Sequence, residues 1–317
     1  MRNGQRWNPS PGLLLVFFTA AISGVSTFVN AYAIQGTNPD AFITARNVLV
    51  AAMLLPLAVV LAPSSRSKLA RRDWVRLAVI GLVGGAIPFL LFFRGVQIAT
   101  AAGGAATASF GYRTLFLMAT VMAVVVLRER VSRRILFASA ALLGGNALLL
   151  SLTAPVWTDG TALVLAATAL WAAEYTMSKR ALRDLPSGTV ALGRMGFGAV
   201  FLVAYVAASG QLGAFGGLAG APLPWIVVSA VLLLAFVSTW YAGLKHVDLS
   251  VATSVLVLAF PITWLLSVLA GTVAFGPAQA VGAIVIALGI CLAVGLASIR
   301  ASLDRGLRVL AAWRRAA

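Results

Sequence analysis

Stretches of about 20 apolar residues, each long enough to cross a bilayer, recur along nearly the whole chain and limit its fold more than any other feature. They fall near 12–34, 41–61, 74–93, 102–126, 135–153, 160–179, 188–208, 224–244, 250–271 and 278–299. With no water in hydrocarbon to bind backbone groups, such runs predict helices. The expected fold class is an all-α membrane protein with ten transmembrane helices. Composition agrees: 61% of residues are hydrophobic and 10% charged, against roughly 25% charged in an ordinary soluble domain.

The 24 Lys and Arg outnumber 8 Asp and Glu, a formal charge of +16. Their positions argue against nucleic acid as a partner, because they cluster in short segments between apolar runs. Arg66, Lys68, Arg71 and Arg72 form one cluster, Arg128, Arg130, Arg133 and Arg134 a second, and Lys179, Arg180 and Arg183 a third; Lys245 and the tail follow. Among the alternate loops only Arg94 is basic. By the positive-inside rule this asymmetry places both termini in the cytoplasm, in a plasma (inner) membrane protein. In the tail, Leu303, Leu307, Leu310 and Trp313 alternate with arginines as in an interfacial amphipathic helix. Ala31-Tyr32-Ala33 resembles a signal-peptidase site, but the first run is longer than a signal core and is expected to remain as a helix.

One cysteine, Cys291, excludes an intrachain disulfide and a cysteine-based metal cluster. No cofactor or metal is expected. The one histidine, His246, lies beside Lys245 and near Asp248, a grouping more in keeping with a solvated loop than with the catalytic cluster of a lipid-modifying enzyme. No Gly-x-x-x-x-Gly-Lys-Ser/Thr loop is present to cradle ATP phosphates.

The chain repeats itself. A shift of roughly 148 residues places Gly12 on Gly160, Arg46 on Arg194, Gly95 on Gly243 and Leu117 on Leu265; after a short deletion Gly144 meets Gly289. The expected organisation is a cytoplasmic N-terminus (1–11), a first five-helix repeat (12–153), an outer linker (154–159), a second five-helix repeat (160–299) and a basic tail (300–317). An odd number of spans per unit makes the two repeats inverted, a device of secondary transporters whose halves exchange conformations about a central site.

Gly95-Val96-Gln97-Ile98-Ala99, its counterpart Gly243-Leu244-Lys245-His246-Val247, and Leu127-Arg128-Glu129 after the fourth span resemble the drug/metabolite transporter superfamily, in particular its EamA-domain members. The resemblance spans about residues 12–299 and implies export of a small metabolite such as an amino acid by alternating access. Channel or sensory protein is the alternative, and a lipid-modifying enzyme a more distant one. Two positions depart from the family pattern. The ninth span keeps its proline as Pro261, whereas the fourth reads Gly111-Tyr112-Arg113-Thr114; Glu129 ends the fourth span, whereas the second half has Gly276-Pro277.

A charge inside a bilayer costs about 2.5–3.5 kcal/mol on insertion scales, which marks intramembrane ionisable residues as functional candidates. Four qualify: Arg46, Arg113, Glu174 and Arg194. Arg113, near mid-span, is the leading candidate to clamp a substrate carboxylate or phosphate, the competing role being a structural bond to carbonyls or Glu174. Glu174 and Arg194 stand at compatible depths for an ion pair, and a Glu174 free of that pair would be a proton carrier. Arg46, placed near the outer surface with Ser26 where its repeat has Glu174, is expected to snorkel outward, reach the Asp40 region or meet an anionic substrate at the outer mouth. Tyr112, Trp171 and Trp240 are expected at the substrate, with Tyr175, Tyr241 and Trp264 as further wall candidates. Pro88 and Pro261 bend helices and free carbonyls, so they are hinge candidates. The small-residue run Ala101–Ser109 and the pair Gly81/Gly85 suit close helix contacts and would also suit a homodimer.

Overall fold

The computed structural model describes residues 11–34, 36–60, 69–152 and 154–295, so the amphipathic tail, Arg66 and Lys68 lie outside the described residues. Helices make up the described fold: α1 (Pro11–Ala33), α2 (Pro39–Val60), α3 (Arg71–Ile80), α4 (Ile87–Ala101), α5 (Ala105–Arg113), α6 (Leu115–Leu127), α7 (Arg133–Leu149), α8 (Asp159–Ala181), α9 (Ser187–Ala208), α10 (Pro222–Leu244), α11 (Leu249–Leu256), α12 (Ala259–Leu269) and α13 (Pro277–Val294). Their outward faces are apolar, with Val125 72%, Phe137 70% and Leu269 75% exposed, as lipid rather than water requires. Among the described residues seven helical runs are long and apolar enough to cross a membrane. The other expected spans fall on α2, which holds Asp40 and Arg46, on α8, which holds Asp159, Glu174, Lys179 and Arg180, and on α7, of 17 residues.

Three of the expected continuous spans are interrupted. Between α3 and α4 the helix widens into a π-turn over Gly81–Ala86, just ahead of Pro88. Proline has no N–H for the carbonyl four residues back. The carbonyl so released is Gly84's, and the π-turn leaves it and Gly85's open to side chains from elsewhere. The fourth span breaks at Thr114, whose hydroxyl turns back to the Gly111 carbonyl at 2.7 Å. The ninth breaks at Val257 and Leu258, ahead of Pro261.

The two halves contact each other in a pattern that maps onto itself under the 148-residue shift. α1 packs on α10 as α4 packs on α8; α1 meets α11 and α12 as α8 meets α5 and α6; α2 pairs with its counterpart α9, and α7 with α13. Glycines make the tightest of these crossings. A methyl on Gly95 would lie 2.7 Å from the Gly160 carbonyl oxygen, and one on Gly243 would lie 2.9 Å from that of Gly12. Gly12 and Gly160, and Gly95 and Gly243, superpose in the sequence repeat. Backbone-to-backbone approach of this kind is how helices associate where lipid removes the hydrophobic drive.

Candidate functional site

The breaks in the fourth and ninth spans bring together residues that are equivalents in the repeat. Tyr112 meets Phe260 edge to face at 5.9 Å, and the Arg113 guanidinium lies over the Phe260 ring at 4.5 Å. Arg113 also donates to Asn146 Oδ1 at 3.2 Å, and Asn146 anchors itself on the Leu142 carbonyl at 2.7 Å. Arg113 remains partly exposed, as do Tyr112 and Phe260. Behind them an aromatic group continues inward: Tyr112 touches Phe92 (4.9 Å) and Trp171 (5.6 Å), and Trp171 touches Phe89 (5.4 Å). A cation held over a ring by an amide is well placed to receive an anion without long-range rearrangement.

Beside this wall the π-turn collects polar side chains. Trp171 Nε1 and Arg194 Nη2 both donate to the Gly84 carbonyl at 3.1 Å, and Asn47 Nδ2 donates to that of Gly85 at 3.3 Å. Glu174 and Arg194 are 3.5 Å apart, 0% and 3% exposed. The remaining Glu174 oxygen accepts from Ser178 at 2.5 Å and Tyr241 at 2.7 Å. Arg46, also 3% exposed, donates its Nε to Asn47 and stands over Phe89 at 5.2 Å. The expectation that Arg46 snorkels or faces an open mouth is therefore corrected: the Phe89 face and Asn47 draw it inward. It is Arg94 that meets Asp40, at 3.5 Å, together with Tyr205.

At the end of the bundle bearing the basic loops, a carboxylate joins the halves. α6 ends with Arg128 in the left-handed conformation (φ 58°), and the next amide turns back to Ala123 O at 3.0 Å. That turn aims Glu129 at the start of α11, where it accepts from Leu249 N (2.8 Å), Ser250 N (3.1 Å) and Ser250 Oγ (2.7 Å). Unpaired first-turn amides and the positive end of the helix dipole favour an anion there. Lys179 Nζ closes the neighbouring corner on the carbonyls of Leu244 and Val247, each at 2.7 Å. Burial first, then the negative Glu129, raises the Asp248 carboxyl above its usual value, while Lys179 opposes the rise. An open cavity of about 490 Å³, lined by Val125, Val126, Leu127, Arg128, Arg180 and Arg183, lies at this end.

Of the candidates named from the sequence, Arg113, Tyr112 and Trp171 gather in one region, and Glu174, Arg194 and Arg46 adjoin it. Arg113 pairs with Asn146 and not with Glu174. Trp240 stands apart, fully buried against Tyr175 at 4.6 Å. Pro88 frees the carbonyl that the site uses, and Pro261 follows the ninth-span break. The sequence reading passed over Asn47 and Asn146, although an amide within an apolar run is itself a signal. Asp40, buried in the first turn of α2, was considered only as a partner for Arg46.

The profile described as the EamA-like transporter family matches residues 10–151 and 159–295, one copy on each half. No curated protein matches. Among solved structures 29 chains match; one, a crystal structure described only as that of a protein, is 17% identical, covers 90% of this chain and 98% of its own, and has a TM-score of 0.73. At that identity the likeness is one of fold.

Proposed function

Since the chain belongs to the EamA-like transporter family, an integral membrane family, we propose that it is a secondary transporter that exports a small metabolite, an amino acid or related compound, by alternating access. In this reading ten helical units cross the plasma membrane as two inverted repeats with both termini cytoplasmic, and α2, α7 and α8 cross with the seven more apolar runs. Arg113 binds the substrate's anionic group, with Tyr112 and Trp171 as wall. The observation that carries the reading is the meeting of Tyr112 with its repeat counterpart Phe260, under Arg113, where the two halves join. A site on the relation between two equivalent halves is equally close to both, which is what exposure to each side in turn requires. Glu174, held by Ser178, Tyr241 and Arg194, is assigned to positioning the π-turn and not to carrying protons.

A thermal-shift screen of amino acids and related metabolites identifies the substrate, because a ligand of the folded state raises its apparent stability. In reconstituted vesicles, uptake of that compound saturates and is accelerated by unlabelled compound on the far side; Arg113→Ala abolishes it in a protein that still folds. Flux rising linearly without counterflow removes the transporter reading, and wild-type flux in R113A removes Arg113 from the site. Loss of pH-gradient-driven accumulation in Glu174→Gln, with exchange retained, would reassign Glu174 to proton coupling.

A further inference from the structure

We propose that Arg46 and Arg194 form a second, deeper anion site beside the π-turn, taking the carboxylate of an organic acid whose body is apolar or aromatic. The inference rests on the transporter reading for its purpose but on separate residues for its geometry.

Arg46 and Arg194 are equivalents in the repeat and flank consecutive carbonyls, Arg46 through Asn47 on Gly85 and Arg194 on Gly84. Their partners bring both guanidiniums to the same π-turn. In the second half the charge is balanced by Glu174. In the first half the corresponding α1 position is Ser26, which accepts from Asn30 at 3.2 Å and carries no charge. Two buried guanidiniums therefore share one carboxylate, and one positive charge is left over.

The unmet groups are specific. Arg46 Nη2 and Arg194 Nη1 are fully buried and have no hydrogen-bond partner. Breaking up a buried charge pair, or leaving one charge without an opposite, is strongly unfavourable, and the ring contact with Phe89 and one bond to a neutral amide offset only part of that. Glu174 is engaged within the second half: one oxygen accepts from Ser178 and Tyr241, and the other lies 3.5 Å from Arg194 Nε. A ligand carboxylate supplies two acceptor oxygens and the missing negative charge in one planar group that matches the guanidinium fork. The surrounding side chains set the rest of the ligand. Phe89 lies under the Arg46 guanidinium and continues through Trp171 to Phe92, all partly or largely buried rings.

The test uses benzoate and its neutral isostere benzamide as probes on the purified full-length protein in detergent, read by thermal unfolding and by calorimetric titration. Benzoate binds saturably and raises the unfolding temperature, and benzamide at the same concentrations does not. Arg46→Gln weakens benzoate at least tenfold, Arg46→Lys weakens it less, and Arg183→Gln on the exposed basic end leaves it unchanged. Equal effects of benzoate and benzamide overturn the proposal, meaning that water alone satisfies the two arginines; wild-type benzoate affinity in R46Q overturns it as well. If R46Q does not fold, R46K and the wild-type probe pair decide the question. Because binding is read without flux, benzoate binding without counterflow keeps this site and removes the transporter reading, whereas amino-acid counterflow without benzoate preference does the reverse.

Discussion

The fourth and ninth spans are equivalent in the repeat, yet their first turns are held in different ways. The start of α11 receives Glu129 from the other half through three hydrogen bonds. The start of α5 has no side-chain cap, and its neighbour Thr107 accepts one bond from Val156 N, at 2.8 Å, in the linker. Where the second half would need a carboxylate to reach α5, it has Gly276 and Pro277. The first turn of the ninth span is thus held by a charged clamp, and that of the fourth by a single neutral contact.

Removing the clamp is the largest way to break this comparison. Glu129→Ala leaves two first-turn amides without an acceptor and is expected to lower stability by about 3 kcal/mol, seen as a fall in the unfolding temperature in detergent; an unchanged transition would mean that α11 is held by packing alone. The counterpart, Thr107→Val, should lower stability by about 1 kcal/mol or less. Equal losses in the two variants would erase the distinction between the ends.

Asp248 sharpens it further. Its raised carboxyl binds a proton more readily in the folded protein than in the unfolded chain, so the folded state is penalised once the group ionises. That penalty is complete above the raised value and disappears as pH falls through the ordinary carboxylate range. Asp248→Asn should therefore stabilise by less than ~1 kcal/mol at neutral pH and flatten the acid side of a stability-against-pH curve; a steeper curve would mean that Lys179 outweighs burial and Glu129. The smallest effect concerns Arg128, an L-residue held at φ 58° to aim Glu129. Arg128→Gly relieves that strain and is expected to add ~0.5 kcal/mol, with a fall in the unfolding temperature pointing to a bond made by the Arg128 side chain.

Much of this was legible from residue order because the bilayer admits few solutions. Apolar runs located the helices, and the repeat aligned Gly12 with Gly160 and Gly95 with Gly243, glycines that stand at helix crossings in the fold. The interruptions at Thr114 and Val257 were not legible, since a hydropathy sum is blind to a one-turn change of direction within an apolar run. Pro88 announced a free carbonyl but not its recipients, Trp171 and Arg194, which arrive from other helices. Arg46 was misplaced for a related reason: depth along a helix can be counted, but whether a guanidinium turns to the surface or to Phe89 depends on a neighbour far along the chain. Asn47 and Asn146 were overlooked because neutral amides do not register when only charges are tallied.

The paired glycine crossings also bear on how the protein is made. Gly12 and Gly95 belong to the first repeat, and their partners Gly243 and Gly160 to the second. Without the second half, the first would present two bare backbone strips and a Gly84 carbonyl lacking Trp171 and Arg194. The early half is an unfinished surface, and synthesis of α8 to α10 both covers it and completes the polar centre.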